Sequence, residues 1–218
     1  MRNILFIGVF IKSSQPPPVN PNDPNAKPPT ALQLCGEEDL SDFRWYKGTI
    51  REFMLMYAGA FAQRVEPGTP YAIPQEVQTE KYNFHVFCRS EGVAAVTVAR
   101  DSYPDLVAHS LNRKVLDTFL AKYPVSSLKG HTASSPQFAL SELKEYIITY
   151  QDPNKADSIS RIQQELGETR QVLHKTIEQV LERGEKIDSL VAKSDSLSSQ
   201  SKMFYTQAKK QNSCCSVM

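Results

Sequence analysis

Two hydrophobic rhythms divide the chain. Up to Pro153, short apolar runs alternate with breakers. Residues 2–12 (RNILFIGVFIK) are dense in β-branched and aromatic side chains and read as a strand. Residues 13–30 hold seven Pro among Asn, Ser and Asp. That composition suits neither a ladder nor a helix interior, so a solvent-exposed Pro-rich loop insertion is expected. Residues 31–36 (ALQLCG) form a second strand able to pair back on the first. Then Phe43, Tyr46, Ile50, Phe53, Met54, Tyr57 and Phe61 recur at steps of three and four, the spacing of an amphipathic helix that starts near Thr49. Pro67, Gly68 and Pro70 end it. Residues 82–88 and 93–99 read as strands joined by a turn, with a further strand possible near 71–80. A helix over about 105–121 and another over about 137–150 complete the reading. The order of strands and helices predicts an α+β fold, an antiparallel sheet with helices on its faces.

After Pro153 the rhythm changes to heptads. Alternating steps of three and four pick out Ile159, Ile162, Leu166, Thr169, Leu173, Thr176, Val180, Arg183, Ile187, Leu190, Ser194, Leu197, Ser201, Phe204, Ala208 and Gln211. Such a seam argues for a coiled coil shared with other helices. The competing reading is a surface helix packed on its own domain. With Gly167, Gly184 and many Ser and Thr, the segment is expected to be only partly helical by itself. Arg183 interrupts the apolar seam between Val180 and Ile187. A charge buried there demands acceptors in the same layer of partner helices, unless the side chain snorkels out from the seam's edge.

Composition adds three limits. The net charge of +1 excludes binding nucleic acid through bulk charge. Of four Cys, Cys214 and Cys215 stand together near the end, so no disulfide framework is present and a reducing compartment is expected. No run reaches the roughly 20 apolar residues of a membrane helix. The chain closes with Cys215, Ser216, Val217 and Met218, a C-a-a-X pattern whose Met predicts farnesyl on Cys215. Cys214 is placed for a palmitoyl group, and two chains anchor where one binds only marginally. No glycine-rich phosphate loop, nucleophile elbow or paired metal-spaced His is found. His85 and His109 read as structural, Cys35 and Cys88 as core residues.

Together the motifs LHKTIEQVLERGEKIDSLV (173–191), SKMFYTQAKKQNSCC (201–215), YQDPNKAD (150–157) and SEG…DSYP resemble the Ykt6-type R-SNAREs, synaptobrevin-like, prenylated v-SNAREs with a longin domain. The resemblance covers essentially the whole chain. It implies a profilin-like longin domain over 1–150, with a five-stranded antiparallel sheet and three helices. It further implies a SNARE coiled-coil segment over 151–211 and a lipidated tail over 212–218. Arg183 would be the zero-layer arginine facing glutamines from three Q-SNARE helices, and the other seam residues would be the bundle's layers. Bundle assembly would drive vesicle docking and fusion in ER–Golgi, endosomal, vacuolar and autophagosomal traffic. Farnesyltransferase would modify Cys215, with removal of residues 216–218 and carboxymethylation.

In a closed form the protein's own SNARE segment would fold onto the longin domain, with Phe53, Met54, Met56 and Tyr57 lining a groove for lipid or segment. The protein would then shuttle between cytosol and the cytoplasmic faces of Golgi, endosome, vacuole or lysosome and vesicles. No cofactor or metal is expected, and no catalytic residue is assigned. A prenylated coiled-coil adaptor and a protein S-acyltransferase-like activity are the alternatives. The chain departs from the family in its longer Pro-rich residues 13–30, in residues 43–50 (FRWYKGTI), in Met56 where a Phe is usual, and in Gly167.

Overall fold

The computed structural model describes residues 2–15, 27–43, 45–77, 80–128, 130–154, 171–181 and 185–214. Strands β1 (Ile4–Ile11), β2 (Leu32–Glu38), β3 (Pro70–Val77), β4 (Glu80–Cys88) and β5 (Val93–Arg100) pair antiparallel in the order β2-β1-β5-β4-β3. Helix α1 (Lys47–Arg64) covers one face. Helices α2 (Asp105–Lys122) and α3 (Glu142–Thr149) cover the other. With both faces covered, the central strands are apolar on both sides. On β5, Ala94, Val96 and Val98 face α1, while Val93, Ala95 and Ala99 face α2. The α+β class expected from sequence, an antiparallel sheet with helices on both faces, is the fold observed.

Two expectations are corrected. Among the described residues the sheet has six strands rather than five, because β6 (Leu173–His174), from the heptad stretch, adds in parallel to Tyr71 and Ala72 of β3. An open sheet edge offers unpaired backbone groups that outcompete helix for these two residues. The last helix of the first domain is also shorter than its apolar pattern suggests. Phe138 is not helical; its N–H donates to the Leu34 carbonyl (2.8 Å), and its ring packs on Tyr123 and Phe119 at 4.7 and 5.8 Å. Its apolar character reflects contact with α2 and the β2 edge. After α3, the Gln151 side chain bonds both the N–H and the carbonyl of Ile4 and the N–H of Asn3, tying the end of this domain to the start of β1.

The heptad stretch is broken where it is described. A single helical turn, α4 (Ile177–Val180), precedes α5 (Ile187–Lys193) and α6 (Ser199–Cys214). No described helix is long and apolar enough to cross a membrane.

Beneath α2 lies a buried polar row. Thr97 donates to Asn112 Oδ1 (2.7 Å), and Asn112 donates to the His85 carbonyl (2.9 Å). The His85 and His109 rings meet edge to face at 5.4 Å, both buried, and among the described residues neither imidazole nitrogen pair has a hydrogen-bond partner. The Asp105 carboxylate is 3.6 Å from His85 Nδ1, beyond bonding reach. Burial, reinforced by His174, pushes His85 down to about 3. Burial pushes His109 well below the ordinary imidazole value. Both rings are therefore neutral in the folded domain, whereas the unfolded chain takes up protons below about pH 6.5. Stability is full above that pH and falls as pH drops, by about 3 kcal/mol for the two rings together at pH 5.5. Urea unfolding at pH 7.5 and pH 5.5 should show this loss, and equal midpoints would contradict neutral burial of the pair.

Candidate functional site

Helix α1 has two apolar faces. Ile50, Met54, Ala58 and Phe61 point into the sheet among Phe84, Val86 and Val96. A second face, with Phe53, Met56 and Tyr57, looks away from it. The sequence reason is plain: apolar residues run almost unbroken from Phe53 to Ala62, wider than one sheet contact can cover.

The C-terminal stretch fills both the second face and the gap beside β3. Ile177, Val180, Leu181 and Leu190 complete the α1-side core. Val191 and Leu197 pack on Met56, with Phe53, Tyr57 and Tyr205 around them. The Phe53 ring lies 6.0 Å from Tyr205, and Tyr57 lies 6.0 Å from Phe84, so Tyr57 bridges the two clusters. Of the four groove residues expected from sequence, Phe53, Met56 and Tyr57 meet the heptad stretch. Met54 turns to the sheet.

Polar contacts fix the register of this fold-back. Arg64 grips Glu185 with two bonds, Nε to Oε2 (2.9 Å) and Nη2 to Oε1 (2.8 Å), with side chains only 3% and 9% exposed. Glu52 accepts the Ser198 N–H (2.7 Å) just ahead of α6. Although burial opposes it, this bond and the hydroxyls of Ser201 and Ser198 hold the Glu52 carboxyl below its ordinary value. Lys209 and Tyr205 both bond Asp188, pulling that carboxyl down. Burial, with the Asp188 charge, pushes the Tyr57 hydroxyl up to about 12.

The seam residues separate into groups. Val180, Leu190, Leu197 and Ser201 are buried, and Ile187 is half-buried against the core. Phe204 meets Tyr46 at 5.6 Å. Leu173 is exposed on β6. Thr176 leads α4, its N–H donating to Gln179 Oε1 (3.0 Å). Ser194 bonds Ser196, and Ala208 is half-buried. Gln211 and Cys214 fall on the last turns of α6. Ile159, Ile162, Leu166, Thr169, Arg183 and Cys215 lie outside the described residues.

The heptad reading missed Ile177, Leu181, Val191 and Tyr205. Each directly follows a seam residue: Thr176, Val180, Leu190 and Phe204. The signal was there, since an apolar stripe one position wider than a coiled-coil seam is the mark of a helix packed on a globular surface. The arrangement is built for holding a segment. Among the described residues no cluster of His, Cys, Asp and Glu suits a metal ion.

Comparison with known proteins agrees with this two-part plan. The family model for the regulated-SNARE-like (longin) domain matches residues 40–147, and that for synaptobrevin matches residues 158–216. The synaptobrevin homolog YKT6 of Candida glabrata is 44% identical over 216 residues, 99% of each chain. That of Saccharomyces cerevisiae is 43% identical over 216 residues, again 99% of each chain. The Schizosaccharomyces pombe homolog is 46% identical over 84% of this chain and 89% of its own. With both halves matched in order and the likeness running the whole length, the chain belongs to the YKT6 family of synaptobrevin-like R-SNAREs with an N-terminal longin domain.

Proposed function

We propose that this R-SNARE is a lipid-anchored, autoinhibited fusion protein of vesicle traffic, serving ER–Golgi, endosomal, vacuolar and autophagosomal routes. Residues 151–211 supply one helix of a four-helix bundle with three Q-SNARE helices, and Arg183 forms its zero layer. The remaining seam residues, from Ile159 to Gln211, form the other layers. Farnesyl on Cys215 and palmitoyl on Cys214 provide the anchor. No cofactor takes part, and SNAREs are a non-enzymatic class.

One observation carries the regulatory part. Val180, Leu190, Leu197 and Ser201 are buried against the longin domain. The same four side chains belong to the bundle seam. A side chain cannot fill both cores, so fold-back and bundle assembly exclude one another, and their balance is set by the difference in burial. Off-seam Ile177, Leu181, Val191 and Tyr205 add contacts that only the folded-back form makes. Partner helices must supply more than this loss.

A carboxylate placed at Met56 would lie against Val191 and Leu197 without a partner, at a cost of about 2–4 kcal/mol to the folded-back form alone. Met56→Glu should therefore raise the rate of assembly with Q-SNARE helices at least about tenfold and shift the protein from cytosol to membranes. Unchanged assembly and distribution would remove α1 from the autoinhibitory role. Mixing the full chain with sets of three Q-SNARE helices should yield a detergent-resistant complex, which Glu at position 183 (Arg183→Glu) weakens. If no set produces one, the adaptor reading takes over. Intact mass of the protein from its own cells should show loss of residues 216–218 and gain of farnesyl, methyl and palmitoyl. An unmodified mass would rule out the lipid anchor.

A further inference from the structure

Both limbs of the proline-rich insertion are fastened to the C-terminal half of α1. On the outgoing limb, Lys12 Nζ donates to the Val65 carbonyl (2.6 Å). Gln63 bonds the Ser13 N–H and carbonyl, at 2.7 and 3.1 Å. On the return limb, the Ala31 N–H donates to the Gly59 carbonyl (3.1 Å), and Pro29 and Ala31 are buried. The approach depends on Gly59. A Cβ there would lie 2.8 Å from Thr30 Cγ2 and 3.1 Å from the Ala31 carbonyl oxygen, so Thr30 would have to turn and the limb give by a few tenths of an ångström, and a larger side chain would push it further. Pro28 and Pro29 fix φ in this stretch, so holding it extended sacrifices little chain freedom.

The return limb also reaches the folded-back segment. Arg64 Nη1 is held by the Ala60 carbonyl (2.9 Å) and faces the Pro29 carbonyl (3.5 Å), while the rest of the same guanidinium grips Glu185. Farther out, Lys27 Nζ pairs with Asp195 (2.5 Å) across a cleft of about 510 Å³ shared with Asp188, Lys193 and Lys202. The Lys27–Asp195 pair is exposed and contributes little alone. The Arg64–Glu185 pair is buried, and its strength depends on water being kept away.

We propose that residues 27–31 form a strap that presses residues 185–195 of the SNARE segment against α1, so that the insertion sets how readily the chain opens. This rests on the fold-back reading above and deepens it. The strap works in two places. Its backbone shields the Arg64–Glu185 pair at the start of the held stretch, and Lys27 meets Asp195 at its end. Lifting the limb admits water to the guanidinium and frees the end of the stretch. Neither effect requires change in the sheet or in α2.

Hydrogen exchange read by mass spectrometry on the full chain tests this. Leu is a good helix former, so Gly59→Leu leaves α1 intact while displacing the limb. Amides of Ile187–Lys193 should then exchange about tenfold faster, with those of β5 and α2 unchanged. Lys27→Glu should speed the same amides about twofold to threefold, and adding Asp195→Lys should restore them. If amides near 27–31 speed up in Gly59→Leu while those of Ile187–Lys193 do not, the strap is overturned and the fold-back stands. If Ile187–Lys193 exchanges in the unaltered protein as fast as unstructured chain, the fold-back reading fails and the strap with it. Should Gly59→Leu disturb β5 and α2 as well, the Lys27→Glu and Asp195→Lys pair decides: rescue supports the strap, and no response overturns it.

Discussion

Everything downstream of the first domain depends on helix α1 being apolar on two sides. One side seals the sheet through Ile50, Met54, Ala58 and Phe61. The other, Phe53, Met56 and Tyr57, would stand in water unless something covered it. An exposed aromatic patch of this kind is costly by the ordinary hydrophobic scale. The chain's own C-terminal stretch covers it. The sixth strand, the broken helices and the buried Arg64–Glu185 pair are the local adjustments that let a heptad sequence lie on a curved domain surface instead of running straight.

That adjustment explains why the stretch is not one helix. The Ser-rich residues 194–198 lower helix propensity between α5 and α6, where the path bends. β6 takes the extended form because β3 offers Tyr71 and Ala72 as backbone partners. Ser198 ends the bend with its N–H on Glu52, and α6 starts there. A seam with Ser or Thr at four of its sixteen positions is weak as an isolated coiled coil, and the same weakness makes it bendable. In the proposed cycle this is what lets one sequence satisfy two cores in turn.

The sheet and its helices were legible in the sequence because 82–88 and 93–99 are short apolar runs bounded by turn residues, and the apolar residues of α2 step by threes and fours. Phe138 was misread as helical because an apolar residue carries no mark of which neighbour will bury it. β6 was invisible for a related reason. Its strand character comes from the edge of β3, not from Leu173 and His174 themselves. The groove was partly legible: Phe53, Met56 and Tyr57 were singled out, but their occupant's contact stripe was not. A search limited to the seam passes over Ile177, Leu181, Val191 and Tyr205, although each sits one residue along. Glu185 as the partner of Arg64 had no local signal, because a buried ion pair 121 residues apart in sequence is a property of the folded path.

The central claim is that folding back and joining a bundle are alternatives for the same side chains. Spin labels carried on unnatural side chains at Glu66, beyond α1, and at Ser196, between α5 and α6, leave all four cysteines untouched and report the separation directly. The account predicts one narrow, short distance for the free chain, replaced on adding three Q-SNARE helices by a broad distribution tens of ångströms longer. The short distance persisting unchanged in an assembled complex would contradict it.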